Sequence, residues 1–169
     1  MLLNVGKAKI SSGKAYPFES SVTIDNSYLQ DRGCEVVGPV KVKGEVVYKN
    51  AILLMTATAQ CLLSCRCDNC GKALEKTIQF DMQEEFVEDY DSTSPEDYVI
   101  SQITVDLDRP VLDNLLFNLP SRILCKENCK GLCSVCGKDK NLYSCNCEAI
   151  EIEEQKQEQN PFNKLKNRR

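Results

Sequence analysis

From Cys125 to Cys147 the chain runs Cys125-Lys-Glu-Asn-Cys129-Lys-Gly-Leu-Cys133-Ser-Val-Cys136-Gly-Lys-Asp-Lys-Asn-Leu-Tyr-Ser-Cys145-Asn-Cys147, with few apolar side chains to bury. A segment of this kind has no core of its own, so it orders only around something else, and metal binding would then supply its folding energy. Upstream, Cys67-Asp-Asn-Cys70-Gly71 repeats the form of Cys133-Ser-Val-Cys136-Gly137. A Cys-x-x-Cys turn lets two thiolates reach one ion at about 2.3 Å, and the glycine that follows suits a backbone forced to positive φ. Cys67, Cys70, Cys125, Cys129, Cys133, Cys136, Cys145 and Cys147 together supply ligands for two four-cysteine sites, so the expected cofactor is zinc, one or two ions. Spacing leaves the pairing open. One partition joins Cys67 and Cys70 with Cys125 and Cys129 and leaves Cys133, Cys136, Cys145 and Cys147 as a local site. The other builds a single site from four of the last six cysteines, with the first knuckle a metal-free turn.

Eleven cysteines could instead mark disulfides. The first ten residues, Met1-Leu-Leu-Asn-Val-Gly-Lys-Ala-Lys-Ile10, lack the charged, apolar and small-residue order of a signal peptide, and no stretch approaches 18 uncharged apolar residues. A cytoplasmic protein with no membrane contact is therefore expected, and reduced thiols there favour metal over disulfides. Cys34, near Gly33, reads as a loop thiol. Cys61 and Cys65 alternate along an apolar strand as small core residues, with Cys65 a competitor of Cys67 for a metal.

The 169 residues, 42% hydrophobic and 27% charged, predict one domain with appendages. A net charge of −4 argues against coating nucleic acid by bulk charge, so any RNA contact must be local. Charge is uneven: Asp81 to Asp97 is acidic without a basic residue, whereas Arg122, Lys126, Lys130, Lys138 and Lys140 make a basic segment. The end of the chain adds Lys164, Lys166, Arg168 and Arg169. The acidic run reads as a solvated strand edge and flexible loop, or alternatively as an electrostatic mimic. Histidine is absent, which removes imidazole catalysis and mixed cysteine and histidine sites. All-cysteine sites are closed and structural, and no phosphate-cradling glycine loop occurs, so no enzymatic activity is expected.

Apolar periodicity predicts a mainly β (α+β) fold: an antiparallel β-barrel or curved sheet with one covering helix and a small C-terminal zinc-knuckle module. Expected strands are Leu2 to Ile10, Ser20 to Ile24, a long hairpin of Glu35 to Tyr48 and Ala51 to Cys65, then Leu74 to Val87 and Tyr98 to Leu107. In the hairpin Lys49-Asn50 is the turn, Gly38-Pro39 a kink and Gly44 a possible bulge. Asp108 is the expected N-cap of a helix at about 109–119, with Val111, Leu112, Leu115, Leu116 and Leu119 on one face and Pro120 as its stop. The predicted organisation is a β-rich domain over 1–120, a cysteine-rich module over 121–148 and a flexible charged tail over 149–169.

Several of these residues form a pattern. Cys67-x-x-Cys70-Gly after an apolar strand, the acidic strand beyond it, Asn118-Leu-Pro120, the Cys125-x3-Cys129-Lys-Gly-Leu-Cys133-x2-Cys136-Gly…Asn141-Leu…Cys145-x-Cys147 run and Asn160-Pro161-Phe162-x-x-Leu165 resemble the bacterial YceD family, the large ribosomal RNA subunit accumulation proteins. The resemblance runs from about Val36 to the end. It implies an accessory role in synthesis, processing or stability of the large-subunit (23S) ribosomal RNA, without implying a mechanism. Members commonly carry Arg just before the second knuckle cysteine; here Asn69 stands there, so that Arg's contacts do not transfer.

The expected function is thus a non-catalytic ribosome-biogenesis factor. Its partner would be large-subunit RNA or a pre-ribosomal particle, met by Arg122, Lys126, Lys130, Lys138, Lys140, Pro161, Phe162, Lys164, Lys166, Arg168 and Arg169. Two alternatives stand beside it. One is a zinc-stabilised protein-binding module for a basic ribosomal protein; the other is a thiol redox protein using Cys67 or Cys133. The oligomeric state is not legible.

Overall fold

A computed structural model describes residues 1–147, the Tyr90 side chain excepted. The chain divides into two compact units: Met1–Cys65 with Leu74–Ser121, and Arg66–Ala73 with the segment from Arg122 onward. The first knuckle therefore belongs to the second unit.

The first unit is built on β1 (Leu2–Asn4), α1 (Gly6–Ile10), β2 (Ala15–Val22), β3 (Cys34–Lys49), β4 (Ile52–Arg66), β5 (Ala73–Glu88), β6 (Tyr98–Ser101), β7 (Thr104–Asp106) and α2 (Asp108–Asn118). Its strands form one nearly closed, barrel-like sheet in the order β1-β7-β6-β5-β4-β3-β2. Period-two patterning drives it. On β4, Leu53, Met55, Ala57, Ala59, Cys61, Leu63 and Cys65 are all buried while their neighbours are not. Burial of each larger side chain contributes about 1.5–3 kcal/mol. Cys34 is the first residue of β3 rather than a loop thiol; it is buried and pairs directly with Cys65. The turn before it is a 3-10 helix, Asn26–Arg32, ended by Gly33 at φ +60.

The β3–β4 hairpin turns at Asn50 and Ala51, both at positive φ (54° and 65°), one residue later than expected. Its register shifts between Val37 and Lys41, at the Gly38-Pro39 kink. Gly44 carries no bulge. It pairs with Ala57 in regular register, and a Cβ there would lie 2.2 Å from the Thr56 carbonyl oxygen, so close strand approach explains the glycine.

Three expected elements differ. Leu2 to Ile10 is not one strand: the Val5 N–H bonds Ile103 O, the Asn4 side chain accepts from Gly6 N, and the chain turns into α1, burying Val5 and Ala8. The strand expected over Tyr98 to Leu107 is a tight hairpin, β6–β7, broken by Gln102 at φ +59. The helix N-cap is Leu107; Asp108 lies in the first turn, where its N–H is accepted by Asp106 and its carboxylate meets the N-terminal ammonium at 2.6 Å. Along α2, Pro110, Val111 and Leu115 are buried, whereas Leu112 and Leu116 are half-buried.

One pairing also departs from an antiparallel sheet. β6 runs parallel to β5, with Phe86 opposite Tyr98 and Glu88 opposite Ile100. The acidic segment between them is the return path, and its polar residues build it. The Asp97 carboxylate accepts from the N–H groups of Thr93 and Ser94 and from the Ser92 hydroxyl, and Arg109 donates to Pro95 O. Those main-chain donors hold the Asp97 carboxyl below its usual range. The segment is a crossover between parallel strands, organised by these hydrogen bonds.

Inside the unit, Glu88 is 6% exposed and is met by the Lys9 ammonium at 2.8 Å and the Tyr48 hydroxyl at 2.7 Å. Lys9 also donates to Gln102 O, so one side chain of α1 joins β5 to the β6–β7 turn. Among the described residues, no helix is long and apolar enough to cross a membrane.

Candidate metal centres

The second unit contains two knuckles with the same main-chain wiring. In the first, Cys67 N–H bonds Lys72 O at 2.9 Å and Gly71 N–H bonds Cys67 O at 2.8 Å. In the second, Cys133 N–H bonds Lys138 O at 2.8 Å and Gly137 N–H bonds Cys133 O at 2.9 Å. Both glycines have left-handed φ, +71° and +68°, which lets the chain fold back after the second cysteine.

The eight cysteines gather in two groups, Cys67 with Cys70, Cys125 and Cys129, and Cys133 with Cys136, Cys145 and Cys147; in each group the sulfurs lie within 4.8 Å of one another. This is the partition with one long-range and one local site. Cys65 is in neither group. In the first group the Cys67 and Cys129 sulfurs are 3.7 Å apart, as are those of Cys70 and Cys125. A disulfide would need about 2.05 Å. A tetrahedron of sulfurs bonded at about 2.3 Å has edges of about 3.8 Å, so the spacing fits a four-coordinate soft cation. Each group can hold a metal ion through four thiolates, with no water-accessible coordination position required.

The thiols are electrostatically uneven. Burial works to raise Cys67, but main-chain donors at Cys125, Cys70 and Asn69 outweigh it and hold the thiol at about 6. Main-chain N–H groups of Cys136 and Val135 draw Cys133 down to about 6. Conversely, burial and the neighbouring thiols push Cys125 up to about 12, and the Cys136 thiol with burial does the same to Cys147. Four thiolates cannot crowd together without a cation; a bound divalent ion removes that repulsion and deprotonates them all.

Residues beyond the ligands lock the first group. The Asp68 carboxylate accepts from Ile123 N at 2.6 Å, and Asp68 N–H bonds Ile123 O at 2.8 Å. Asn69 donates its side-chain amide to Cys129 O at 3.0 Å, while its carbonyl accepts from Leu132 N at 3.2 Å. Asn69 thus makes structural contacts of its own just before the second knuckle cysteine. Gly131, at φ +70, passes so close that a Cβ would sit 2.9 Å from Asn69 O. Asn141 donates to the Cys129 sulfur at 3.4 Å and to the Asp139 carboxylate at 2.7 Å, and accepts from Lys130 N at 3.0 Å. These supports were not singled out from sequence as functional. Their signal was the Lys-Gly-Leu and Asn-Leu strings beside the cysteines.

Of the expected contact residues, Arg122, Lys126, Lys130 and Lys138 are exposed and Lys140 is half-buried. Lys130 and Lys140 share a cleft of about 330 Å³ with Asn141, Leu142, Tyr143 and Cys145. Pro161, Phe162, Lys164, Lys166, Arg168 and Arg169 lie outside the described residues, as does the expected tail over 149–169.

A family profile described as large ribosomal RNA subunit accumulation protein YceD matches residues 55–167. The chain belongs to the YceD family. The match takes in most of β4, both knuckles and the C-terminal run, and so contains all eight grouped cysteines. Proteins of Mycobacterium bovis and of two Mycobacterium tuberculosis strains, each described as an uncharacterized protein, are 30% identical to this YceD-family chain over 90 residues. The match covers 50% of this chain and 44% of each relative, so the chain spans less than half the length of these relatives. No solved structure matches the chain.

Proposed function

We propose that this protein is a non-catalytic factor of ribosome biogenesis that supports synthesis, processing or stability of large-subunit ribosomal RNA, with two structural zinc ions ordering its RNA-facing unit. Family membership motivates the RNA. The observation that carries the rest is the pair of all-cysteine groups. Thiolate-only tetrahedral sites select zinc among abundant divalent ions and leave no position for substrate, which favours a scaffold over an enzyme.

Charge gives the unit its working face. Its described residues carry seven Lys and Arg against Asp68, Glu127 and Asp139. Two zinc ions with eight thiolates bring about four negative charges, which cancels that surplus for the unit as a whole. What remains is local: exposed lysine ammoniums reach solvent while the thiolates are mostly buried or half-buried. That arrangement suits short-range phosphate contacts rather than bulk attraction, in a cytoplasmic protein of net charge −4.

Depleting the protein in cells tests the reading: the ratio of large- to small-subunit ribosomal RNA should fall, and an unchanged ratio refutes it. Docking of a basic ribosomal protein is the second reading. It is favoured by the exposed Asp81 and Glu85 on β5, and crosslinking that recovers basic protein without RNA would select it.

A further inference from the structure

We propose that the cleft walled by Lys130 and the turn from Lys140 to Cys145 seats one unpaired RNA nucleotide, with the base on the ring of Tyr143 and the phosphate between Lys130 and Lys140. The inference rests on the RNA reading above and names the site through which it would operate.

Three observations converge on this cleft. Its volume, about 330 Å³, is that of a small-ligand pocket and suits a single nucleotide. Tyr143 is 63% exposed and Leu142 73% exposed, although the main chain beneath them is fixed by bonds from both N–H groups to Asp139 O. A rigid turn that holds an aromatic ring out into water gives a stacking platform ready-made, and base stacking tolerates any sequence because every base has a π-face. The third is charge. Lys130 and Lys140 both line the cleft, and Lys140 is held close to Lys130 because its N–H bonds Gly131 O at 2.9 Å.

Single-stranded rather than duplex RNA is the fitting class. An aromatic face can be used only by a base that has left its helix, and a duplex presents phosphates and sugars to such a cleft but no free base. Cys145 is both a wall of the cleft and a member of the second cysteine group, so the cleft depends on metal in that group for its shape. Zinc would thereby act on RNA affinity without touching RNA.

The test uses the full-length zinc-loaded chain and a fluorescein-labelled, mixed-sequence 12-nucleotide RNA, read by anisotropy, with the same strand as a duplex for comparison. Tyr143→Ala should weaken single-strand binding about tenfold, and Tyr143→Phe should restore it, because stacking survives in Phe. Replacing Lys130 and Lys140 with Gln should flatten the salt dependence by about 0.7 per lysine in the log–log slope. Zinc content of each variant, measured alongside, should be unchanged, since the Tyr143 ring contributes little to packing. Equal binding by Tyr143→Ala at full zinc content overturns the proposal, as does a preference for the duplex. Displacement of RNA from the original chain by a poly-glutamate peptide at lower concentration than unlabelled RNA overturns it too, by assigning the cleft to acidic protein. If Tyr143→Ala binds RNA normally and rescues depleted cells, the cleft assignment fails while the biogenesis role stands. An unchanged RNA ratio on depletion removes that role itself.

Discussion

Gly131 and Gly71 form a matched pair for asking how tightly the first metal group is built. Both have the same left-handed backbone, φ +70 and +71, and both flank the group of Cys67, Cys70, Cys125 and Cys129. Alanine at either position costs about 1–2 kcal/mol for the φ alone. The unfolded-chain effect of Gly→Ala is common to both and cancels in the comparison. Their surroundings differ: nothing lies within 4 Å of a Cβ on Gly71, whereas a Cβ on Gly131 meets Asn69 O at 2.9 Å. The Asn69 carbonyl must then retreat, and it gives up the Leu132 N–H it holds at 3.2 Å, adding about 1 kcal/mol. Since 1.4 kcal/mol is tenfold in affinity, zinc in the first group should bind about fivefold more weakly in Gly131→Ala than in Gly71→Ala. Competition against a chromophoric zinc chelator reads this directly. Equal retention in the two variants would refute the account of a seam between the first knuckle and the Gly131 turn.

Other outcomes follow from the same structure. Purified protein should contain about two zinc ions, with Cys67→Ser and Cys133→Ser each losing a different one; chelation should abolish ordered structure in the second unit while strand circular dichroism persists. Asn141→Ala removes the donor to the Cys129 sulfur and should weaken the first zinc by roughly tenfold in the same chelator assay, without changing its stoichiometry at excess metal. Lys9→Met leaves the Glu88 carboxylate buried without its counter-charge, still accepting a hydrogen bond from the Tyr48 hydroxyl, and should cost about 2–3 kcal/mol at pH 7, at the low end for a buried pair because Lys9 keeps 24% of its side chain exposed. Burial tends to raise Glu88, but Lys9 and Tyr48 outweigh it, so its folded pKa is depressed. The pair's stabilisation is therefore present above the unfolded carboxyl pKa near 4.5 and lost as pH falls through the folded value. Melting curves of the two proteins should draw together as pH falls below the unfolded value and through the depressed folded one, and a gap that stays constant with pH would count against the ion pair.

Much of this architecture was legible because its signals are local. Period-two burial named β3, β4 and β5, and the Cys-x-x-Cys-Gly form named both knuckles and the sign of φ at Gly71 and Gly137. Long-range partners were harder. Nothing in Asp89 to Asp97 distinguishes an acidic loop from a crossover folded around the Asp97 carboxylate, because its donors at Ser92, Thr93 and Ser94 become visible only once the chain has turned. The division of Leu2 to Ile10 into β1 and α1 is set by Ile103 O, which captures the Val5 N–H from nearly a hundred residues away. Around the metal groups, ligands could be named by residue type alone. Asn69, Gly131 and Asn141 act through one carbonyl, one missing Cβ and one amide, and such roles appear only when the two segments are brought together.

The sulfur contact between Cys70 and Cys125 joins positions 55 apart in the chain. With a metal in place, the chain between them becomes a closed ring that contains all of β5, β6, β7 and α2. A cross-link over a ring of that size removes conformational freedom from the unfolded chain equivalent to about 4 kcal/mol in the loop-closure treatment used for disulfides. A zinc ion whose ligands all belong to the second unit would in this way raise the unfolding temperature of a sheet that contributes no ligand to it. Metal supply would then set the margin by which the β-unit stays folded: its strands persist when the ion is removed, but they melt at a lower temperature.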